Sequence, residues 1–279
     1  MNHADHADAA RFLRATHGTL ASQADLSPNN PQVNHCLGRL VATLKAWQAT
    51  GFGWHLAERP ELADLADDLP RLCARAECEM EKWWCRKILA SDCPGAQALA
   101  AFWYVDEYEA LCQAELELLG KAPGERFAFL GSGALPLTAI LLARSGPEIR
   151  VRCVDCDEDA CGLADRLIAL LGMRQRIEVV LADAGEHVPA SGETLICASL
   201  LDAPDLFEAL HDRCAERLII RDAEGPYRFC YRPARLPGPG FIERAKSAPS
   251  PERINTSRYF EAAARSQSAL LLQNETPHQ

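Results

Sequence analysis

The sequence is poor in basic residues relative to acidic ones. Its 29 Lys and Arg residues face 39 Asp and Glu, which gives a formal net charge of −10. No basic run of the kind that binds nucleic acid or anionic lipid occurs, and no apolar run is long enough to predict a transmembrane helix. The polar residues 1–8 also lack an apolar signal core. We therefore expect a cytoplasmic protein that binds neither nucleic acid nor membrane.

Clustered metal ligands are also missing from the sequence. The 12 cysteines are scattered through apolar segments, where cysteine packs like a small hydrophobic residue. Cys153 and Cys156 form a CxxC pair, but no second ligand pair follows at zinc spacing. The 8 histidines form no ligand cluster either. We expect no metal ion in the protein, and a chain of this length can fold without disulfides.

Strand signals are almost absent before residue 120. Apolar residues recur there at helical spacing, as on one helix face that carries Val33, Leu37, Leu40, Val41, Leu44 and Trp47. Residues 121–124 contain Pro and Gly and predict a hinge. The sequence therefore predicts two domains: a helical domain, residues 1–120, that covers the active site, and a ligand-binding domain, residues 121–279.

The second half of the chain alternates apolar runs with helical segments. Five runs are interpreted as strands: residues 127–130, 149–155, 177–181, 194–198 and 217–221. This pattern favours an α/β fold with a Rossmann-like parallel sheet covered by helices. Residues 227–231 look like an added strand. Residues 253–259 form a last ordered segment, and the tail beyond residue 264 is expected to be loosely held.

A glycine turn follows the first of these strands. Gly131 and Gly133 permit a backbone path and a close ligand approach that a Cβ would block, and Pro136 suits the start of a helix. The turn is expected to present free amides to a ligand. Asp155 ends the second strand roughly 20 residues later, where such folds place the carboxylate that binds ribose hydroxyls. The third glycine of the dinucleotide motif is absent at Pro136, which disfavours NAD.

Carboxylates after the next two strands have competing interpretations. Asp157 and Asp159 precede a helix, and at least one of them is expected to be a cap. Asp183 is placed to reach an adenine edge, but a solvated loop carboxylate is an equally good interpretation.

The glycine turn resembles a motif of one known family. Gly131-Ser-Gly-Ala-Leu-Pro-Leu-Thr138 is similar to the Gly-Ser-Gly-Pro-Leu-Pro-Leu-Thr motif of nicotianamine synthases. Further segments are similar in the same order: residues 27–41, 76–81, 102–108, 219–225 and 253–256. The chain departs from the family at Ala134, at Trp83 and Trp84, and at Asp222. These differences bear on the acceptor substrate rather than on the donor.

The resemblance implies a class I fold that uses S-adenosylmethionine (SAM) as co-substrate. Such enzymes transfer the 3-amino-3-carboxypropyl (aminobutyryl) group of SAM to an amine and release 5'-methylthioadenosine. The chain is most similar to bacterial relatives that make metallophores of the staphylopine and pseudopaline type. In those relatives histidine is the acceptor, a separate opine dehydrogenase acts next, and metal is only the cargo of the product. A homodimer is also consistent with the resemblance.

Three alternatives stay open from the sequence. A nicotianamine synthase proper would use a second aminobutyrate as acceptor. A small-molecule methyltransferase would have the same donor half. A SAM-binding regulator would bind the donor without turnover.

The resemblance and the chemistry together predict Glu81 as the catalytic base. An α-amine is mostly protonated at neutral pH and must lose a proton before it attacks, and an apolar neighbour raises the pKa of a carboxylate toward the useful range. The alternative is a solvated helix face in which Glu81 is one charge among Glu77, Glu79, Lys82, Arg86 and Lys87. Tyr108 is predicted to help position the amine.

The remaining site residues are assigned by substrate. The predicted SAM contacts are Gly131, Ser132, Gly133, Leu135, Pro136, Asp155, Cys156, Asp183, Ala184, Ala198 and Ser199. The predicted acceptor contacts are Tyr104, Arg221 and Asn34, although Tyr104 is equally consistent with a core aromatic. Arg221 suits a substrate carboxylate because its guanidinium is a forked donor. An ion pair with Asp222 or Glu224 is its alternative, and Arg228 and Arg253 are weaker candidates for the same role.

Overall fold

The computed structural model describes residues 3–263, except residues 94, 103, 121–124, 202, 204 and 251–252. The predicted hinge and the C-terminal tail lie outside the described residues. Five helices come first: α1 (His3–Ala21), α2 (Pro31–Thr50), α3 (Ala63–Leu89), α4 (Gly95–Ala100) and α5 (Val105–Leu119). The predicted helical first half is confirmed. In the described part of the chain, no helix is both long and apolar enough to cross a bilayer.

Helix α2 shows how the amphipathic pattern is used. Its first turn is closed by Asn30, whose side chain accepts a hydrogen bond from the backbone N–H of Gln32, and it ends at Gly51 with φ of 70°. Leu40 and Leu44 are fully buried in the helical core. Leu37 and Val41 belong to the same apolar face but remain partly accessible, because they line a cavity.

The second half forms a seven-stranded sheet in the order β3-β2-β1-β4-β5-β7-β6. Its strands are β1 (Arg126–Leu130), β2 (Arg150–Asp155), β3 (Ile177–Leu181), β4 (Thr194–Cys197), β5 (Arg217–Asp222), β6 (Phe241–Lys246) and β7 (Thr256–Ala262). Strands β1 to β5 pair in parallel, which confirms the predicted sheet. Strands β6 and β7 add an antiparallel edge.

Side chains of the sheet alternate between two apolar cores. Phe127 and Phe129 face one core, and Ala128 and Leu130 face the other, as the period of two requires. The helices of this half are α6 (Leu137–Ser145), α7 (Glu158–Leu170) and α8 (Leu206–Asp212). Helices α6 and α7 pack in the first core and α8 in the second. The result is a helix-covered sheet with buried faces.

One expectation about the C-terminal third was wrong, and one strand there was not predicted. Residues 227–231 are not a strand, because Gly225–Phe229 form a 3₁₀ turn. Proline at the start of this turn removes a donor that a sheet ladder needs, and Phe229 is fully buried among helices. Strand β6 was not expected from the Pro/Gly-rich stretch that precedes it.

Helix α3 belongs to both halves of the molecule. Cys73 and Ala76 pack in the helical core, whereas Cys85 and Ile88 pack in the first core of the sheet. Tyr227 and Phe229, from the second half of the sequence, also pack in the helical core. The domain boundary at residue 120 therefore stays a prediction about the sequence, while the two halves share α3 in space.

Candidate active site

A cavity lies where α2, α3 and α5 meet the glycine loop, residues 131–136. Leu37 and Val41 of α2 and Leu135 of the loop form apolar walls. The polar lining is concentrated on a few side chains: Glu77, Glu81, Tyr104, Tyr108 and Tyr231. An apolar cavity with a few convergent polar groups is the usual form of a small-molecule site. We refer to it as the main cavity.

Glu81 lies between α3 and the glycine loop. Its carboxylate accepts hydrogen bonds from the backbone N–H groups of Ala134 and Leu135. Its accessible surface faces the main cavity, and burial, followed by the charge of Glu77, raises its pKa well above the usual range. The interpretation of Glu81 as part of a solvated helix face is wrong. Its catalytic role stays a prediction, and the geometry suits a base.

Glu77 is one helical turn before Glu81 and lines the same cavity. Burial raises its pKa to about 7, although the hydroxyl of Tyr231 donates a hydrogen bond to it. Neither Glu77 nor Tyr231 was assigned to the site from the sequence. The spacing of four residues between Glu77 and Glu81 was a usable signal, because residues so spaced share a helix face. Nothing local in the sequence pointed to Tyr231.

Three other charged side chains of α3, Glu79, Lys82 and Arg86, do not line the main cavity. Lys82 forms an ion pair with Asp157 at 2.6 Å, and Arg86 pairs with Asp159 at 2.7 Å. Both carboxylates belong to the start of α7, so these pairs join α3 to the sheet half. Glu79 is exposed.

Tyr104 and Tyr108 both line the main cavity from the start of α5. Burial is the main cause that raises the pKa of each phenol well above its ordinary value. Both phenols are therefore neutral hydrogen-bonding groups near neutral pH. Tyr104 also packs against the surrounding aromatic core, so it combines the two interpretations that the sequence left open.

The backbone N–H groups of the glycine loop form hydrogen bonds to other groups of the chain. The expectation that they are free was therefore wrong. Gly131 and Ser132 donate to the carbonyl of Val154 at 2.8 and 3.2 Å. Gly133 donates to Oδ2 of Asp155 at 2.8 Å, and the next two N–H groups bind Glu81. The loop thus holds two carboxylates in place, which reflects the affinity of such a turn for anions.

The glycines themselves are required by geometry. Gly131 and Gly133 have φ of 73° and 68°, in the left-handed region that disfavours other residues. A Cβ on Gly133 would lie 2.0 Å from Oε2 of Glu81, and one on Gly131 would lie 3.3 Å from Cβ of Ala198. The missing side chains therefore admit both the carboxylate and a neighbouring strand end.

Parallel strands bring the remaining predicted SAM contacts to one edge of the sheet. Strands β3, β2, β1 and β4 are adjacent in the sheet. Asp155 is the last residue of β2, and Asp183, the glycine loop and Ala198 follow the ends of β3, β1 and β4, respectively. Ligands of such sheets bind where connections leave in opposite directions, here between β1 and β4. Each predicted SAM contact belongs to the loop or follows one of these strand ends: Gly131, Ser132, Gly133, Leu135, Pro136, Asp155, Cys156, Asp183, Ala184, Ala198 and Ser199. Their contacts with SAM stay predictions.

The carboxylates of Asp155, Asp157 and Asp183, at this edge of the sheet, accept hydrogen bonds from different backbone N–H groups. Asp157 caps α7 by accepting from the N–H of Ala160 at 3.0 Å, as one interpretation expected. Asp183 accepts from the N–H of Gly185 at 2.7 Å and so closes its own turn. Asp155 accepts from Gly133 and, through Oδ1, from the N–H of Asp157 at 2.9 Å. Since a carboxylate has about four acceptor positions, Asp155 retains capacity for ribose hydroxyls.

Arg221 is only 4% exposed, and its guanidinium is engaged by a partner that the sequence did not indicate. It donates to both carboxylate oxygens of Glu115, at 2.8 and 3.0 Å. Asp222 and Glu224, the expected partners, instead pair with Arg258. The charge of Arg221 is therefore already balanced, which argues against it as the cation that binds a substrate carboxylate.

Asn34 does not line the main cavity, and its assignment to the acceptor stays a prediction. It is exposed and donates from its side chain to the carbonyl of Pro28 at 2.8 Å. Although it shares a helix face with Leu37 and Val41, it is one turn nearer the start of α2, where the chain turns.

The arrangement suits a cationic donor next to a base. Three carboxylates, Glu77, Glu81 and Asp155, surround the glycine loop, and opposite charges attract strongly in enclosed sites. Glu81 lies where it can accept a proton inside the main cavity. In the described residues, no cluster of side chains could hold a metal ion.

Comparisons with known proteins identify the family. A family model described as nicotianamine synthase protein matches residues 12–192. The chain is 32% identical to nicotianamine synthase 3 of Oryza sativa, over 88% of this chain and 74% of that protein. It is 31% identical to L-histidine 2-aminobutanoyltransferase of Pseudomonas aeruginosa, over 47% of this chain and 45% of that protein.

The fold matches solved structures of one enzyme, named MtNAS. A glutamate-to-glutamine variant of it superposes with a TM-score of 0.81 at 21% identity, covering 94% of this chain and 99% of that chain. A structure of the variant with SAM gives a TM-score of 0.79 at 22% identity, over 91% and 97% of the two chains. These likenesses confirm the predicted fold class. The chain belongs to the nicotianamine synthase family, and it is therefore an enzyme that uses SAM as a co-substrate, as the resemblance implied.

Proposed function

We propose that the chain transfers the aminobutyryl group of SAM to the α-amine of histidine and releases 5'-methylthioadenosine. The observation that carries this proposal is the carboxyl group of Glu81, which the glycine loop holds in the lining of the main cavity. Histidine as acceptor is supported by the likeness to the Pseudomonas aeruginosa enzyme, whose name states that acceptor. Relatives named nicotianamine synthase cover more of the chain, so aminobutyrate as acceptor is the alternative.

Bound SAM supplies a sulfonium whose γ-carbon bonds to the acceptor nitrogen while the S–Cγ bond breaks and its electron pair returns to sulfur. The chain supplies a base, because the attacking amine has to lose a proton and the neutral thioether that leaves needs none. Glu81 takes this proton, and the raised pKa of its carboxyl brings it nearer to that of the amine. Glu77, one turn away, adds a second negative charge that attracts the cationic donor and the ammonium form of the acceptor.

Placement selects which carbon of the sulfonium reacts. Three carbons are bonded to the sulfur, and the one held in line with the nucleophile at near-attack distance reacts. The walls formed by Leu135, Tyr104 and Tyr108 restrict how an acceptor can approach the glycine loop. The enclosed cavity also limits water, which would compete as a nucleophile and weaken the electrostatic interactions.

The wider setting belongs to the same proposal. A separate opine dehydrogenase would act on the product to complete a metallophore. We also propose that the helical half, up to about residue 120, acts as a cover over the SAM edge, since α3 and α5 supply most of the polar wall. Cytoplasmic location and a homodimer stay predictions.

The experiment is an incubation of the purified chain with SAM and L-histidine, followed by mass analysis. The expected products are aminobutyryl-histidine and an equal amount of 5'-methylthioadenosine. Methylthioadenosine without consumption of histidine would favour nicotianamine synthesis from SAM alone. S-Adenosylhomocysteine with methylated histidine would indicate a methyltransferase, and SAM binding without any product would indicate a regulator.

A further inference from the structure

A second, smaller cavity adjoins the main cavity. Glu77, Tyr108 and Tyr231 line both cavities, so these side chains form a wall that the two spaces share. Its other polar lining residues include Glu107, Ser199, Arg221 and Arg253. We refer to it as the vestibule. It is built from α3, α5, the end of β4 and the segment before β7, so elements distant in sequence meet there.

Two of the charges in the vestibule are neutralised by ion pairs. Arg221 is bound by both oxygens of Glu115. Glu107 is paired with Lys45 of α2 at 2.5 Å. These pairs leave one cation and one carboxyl group among the described residues that line the vestibule, namely Arg253 and Glu77.

Among the described residues, one terminal nitrogen of the Arg253 guanidinium has a hydrogen-bond partner and the other has none. Its Nη2 donates to the carbonyl of Ala248 at 2.8 Å, which anchors the side chain. Its Nη1 is buried and has no hydrogen-bond partner among the described residues. A buried charged donor without a partner costs free energy. Because Arg253 lines the vestibule, a small shift of its side chain would let a ligand oxygen there offset this cost.

A hydrogen-bonded pair lies in the same wall. The side-chain amide of Asn255 donates to Oγ of Ser199 at 2.7 Å, and both residues line the vestibule. Because the Ser199 oxygen accepts this bond, its own hydroxyl proton is available to donate. Arg253 and Ser199 thus each bring a hydrogen-bond donor to the lining of the vestibule.

We propose that Arg253 binds the α-carboxylate of the acceptor amino acid, so that the α-amine points toward Glu77 and Glu81. This inference rests on the proposed function and deepens it. An α-amino acid carries a carboxylate and an ammonium on one carbon. Arg253, which forms no ion pair among the described residues, lines the vestibule; Glu81 lines the main cavity, and Glu77 lines both. One cation and two carboxyl groups match that charge pattern. Arg253 thereby performs the role that the sequence favoured for Arg221.

This placement separates two kinds of specificity. Arg253 and Ser199 would select for the α-amino acid head group. The residues that line the main cavity would contact the side chain of the acceptor and so select among amino acids. Arg253 is then a substrate-binding residue, and loss of its charge weakens acceptor binding without changing donor binding.

The test compares L-histidine with L-histidinamide, in which a neutral amide replaces the carboxylate. Binding of each to the enzyme loaded with 5'-methylthioadenosine is measured by calorimetry, and kcat/KM is measured with SAM. We expect wild type to prefer histidine by roughly 10- to 100-fold, as for a charge-assisted hydrogen bond in a partly buried site. In Arg253→Gln the affinity for histidine falls by that factor, while histidinamide binding changes little.

Controls separate this role from a structural one. Arg253→Lys keeps the charge and is expected to recover part of the preference. Arg244→Gln removes an exposed arginine of β6 that pairs with Glu261, and it is expected to change neither ligand. The SAM affinity and the melting temperature of Arg253→Gln are expected to equal those of wild type.

Each outcome decides one question. Equal weakening of histidine and histidinamide in Arg253→Gln, or an unchanged preference, overturns the role of Arg253. If wild type transfers to another amino acid, the histidine assignment fails, and the same comparison with that acid and its amide tests Arg253. If wild type prefers no amino acid over its amide, the proposal for Arg253 is wrong.

Discussion

The donor edge of the sheet and the vestibule are built in opposite ways. At the donor edge, the glycine loop and Asp155 lie within a short stretch of chain, and their polar groups are joined to one another by hydrogen bonds. In the vestibule, Glu77, Ser199 and Arg253 come from distant segments, and one cation there has a buried donor without a partner. The donor edge is preorganised by the chain itself, whereas the vestibule is completed by its ligand.

The largest test of this contrast is removal of Glu81, the carboxylate that the glycine loop of the donor edge holds in the main cavity. Glu81→Gln keeps the shape of the side chain but cannot accept the proton, so we expect kcat to fall by about 100- to 10,000-fold. SAM affinity should change by only a few fold, because the donor edge is otherwise intact. Release of 5'-methylthioadenosine and calorimetric binding of SAM measure the two quantities. Glu79→Gln, an exposed neighbour on α3, is the matched control, and full activity in Glu81→Gln would contradict the assignment.

A second test is a substitution in the glycine loop. Gly133→Ala places a Cβ 2.0 Å from Oε2 of Glu81 at φ of 68°, so we expect a loss of about 1–3 kcal/mol of stability together with a loss of turnover that approaches that of Glu81→Gln. Thermal unfolding and product formation measure them. Gly162→Ala, in α7 with nothing within 4 Å of the new Cβ, should be neutral or slightly stabilising. An active, stable Gly133→Ala enzyme would show that the loop does not hold Glu81.

The third test uses pH to separate the carboxyl groups. Burial raises the pKa of Glu77 to about 7, so its negative charge is present above that pH and lost below it. We expect kcat/KM to rise with pH through about 7, and Glu77→Gln to weaken that rise. The pKa of Glu77 is higher in the folded chain than in the unfolded one. Its stabilising contribution is therefore fully present below the unfolded value of 4.5 and is lost as the pH rises through about 7.

The same variant carries a stability readout for the pH argument. Because Gln is neutral at every pH, Glu77→Gln should show a smaller fall in melting temperature between about pH 5 and about pH 8 than wild type. An identical fall in both proteins would mean that Glu77 titrates near its ordinary value.

The smallest expected effect concerns Tyr231, whose hydrogen bond lowers the pKa of Glu77. Tyr231→Phe removes this donor, so the pKa of Glu77 rises further and the acidic limb of the kcat/KM profile should move to higher pH, by up to about one unit. Tyr227→Phe, on the neighbouring turn, is the control. A shift to lower pH would contradict the hydrogen bond.

The strands and the glycine turn of the donor edge were predicted well because the signals for them are local, while the contacts of this edge with SAM stay predictions. The interval between the glycines and Asp155, the apolar runs and the helix-starting Pro136 follow from backbone geometry over a few dozen residues, and parallel pairing then brings the strand ends together. What failed at this edge was the use of its amides. They bind Asp155 and Glu81 rather than remaining free, and the second of these lies about 50 residues earlier in the chain.

The acceptor side was predicted less well because its contacts join segments that are distant in sequence. Arg221 was expected to pair with Asp222 or Glu224, its neighbours in sequence, but alternation along a strand sends adjacent side chains to opposite faces, and Glu115 of α5 reaches it instead. Asn34 lies on the expected helix face but does not line the main cavity. Residues 227–231 have the composition of a strand, yet a proline start and burial against helices make them a 3₁₀ turn.

The order of residues along the chain by itself determined the helical first half, the parallel strands, the glycine turn and the family to which the chain belongs, because periodicity and short motifs act over one or a few turns of backbone. Only the tertiary structure decided which charges are balanced. Whether a charged side chain forms an ion pair or is available to a ligand depends on its partner, and for Arg221 that partner, Glu115, lies more than 100 positions away. Burial is likewise a property of the tertiary structure, and it raises the pKa of Glu77 and of Glu81.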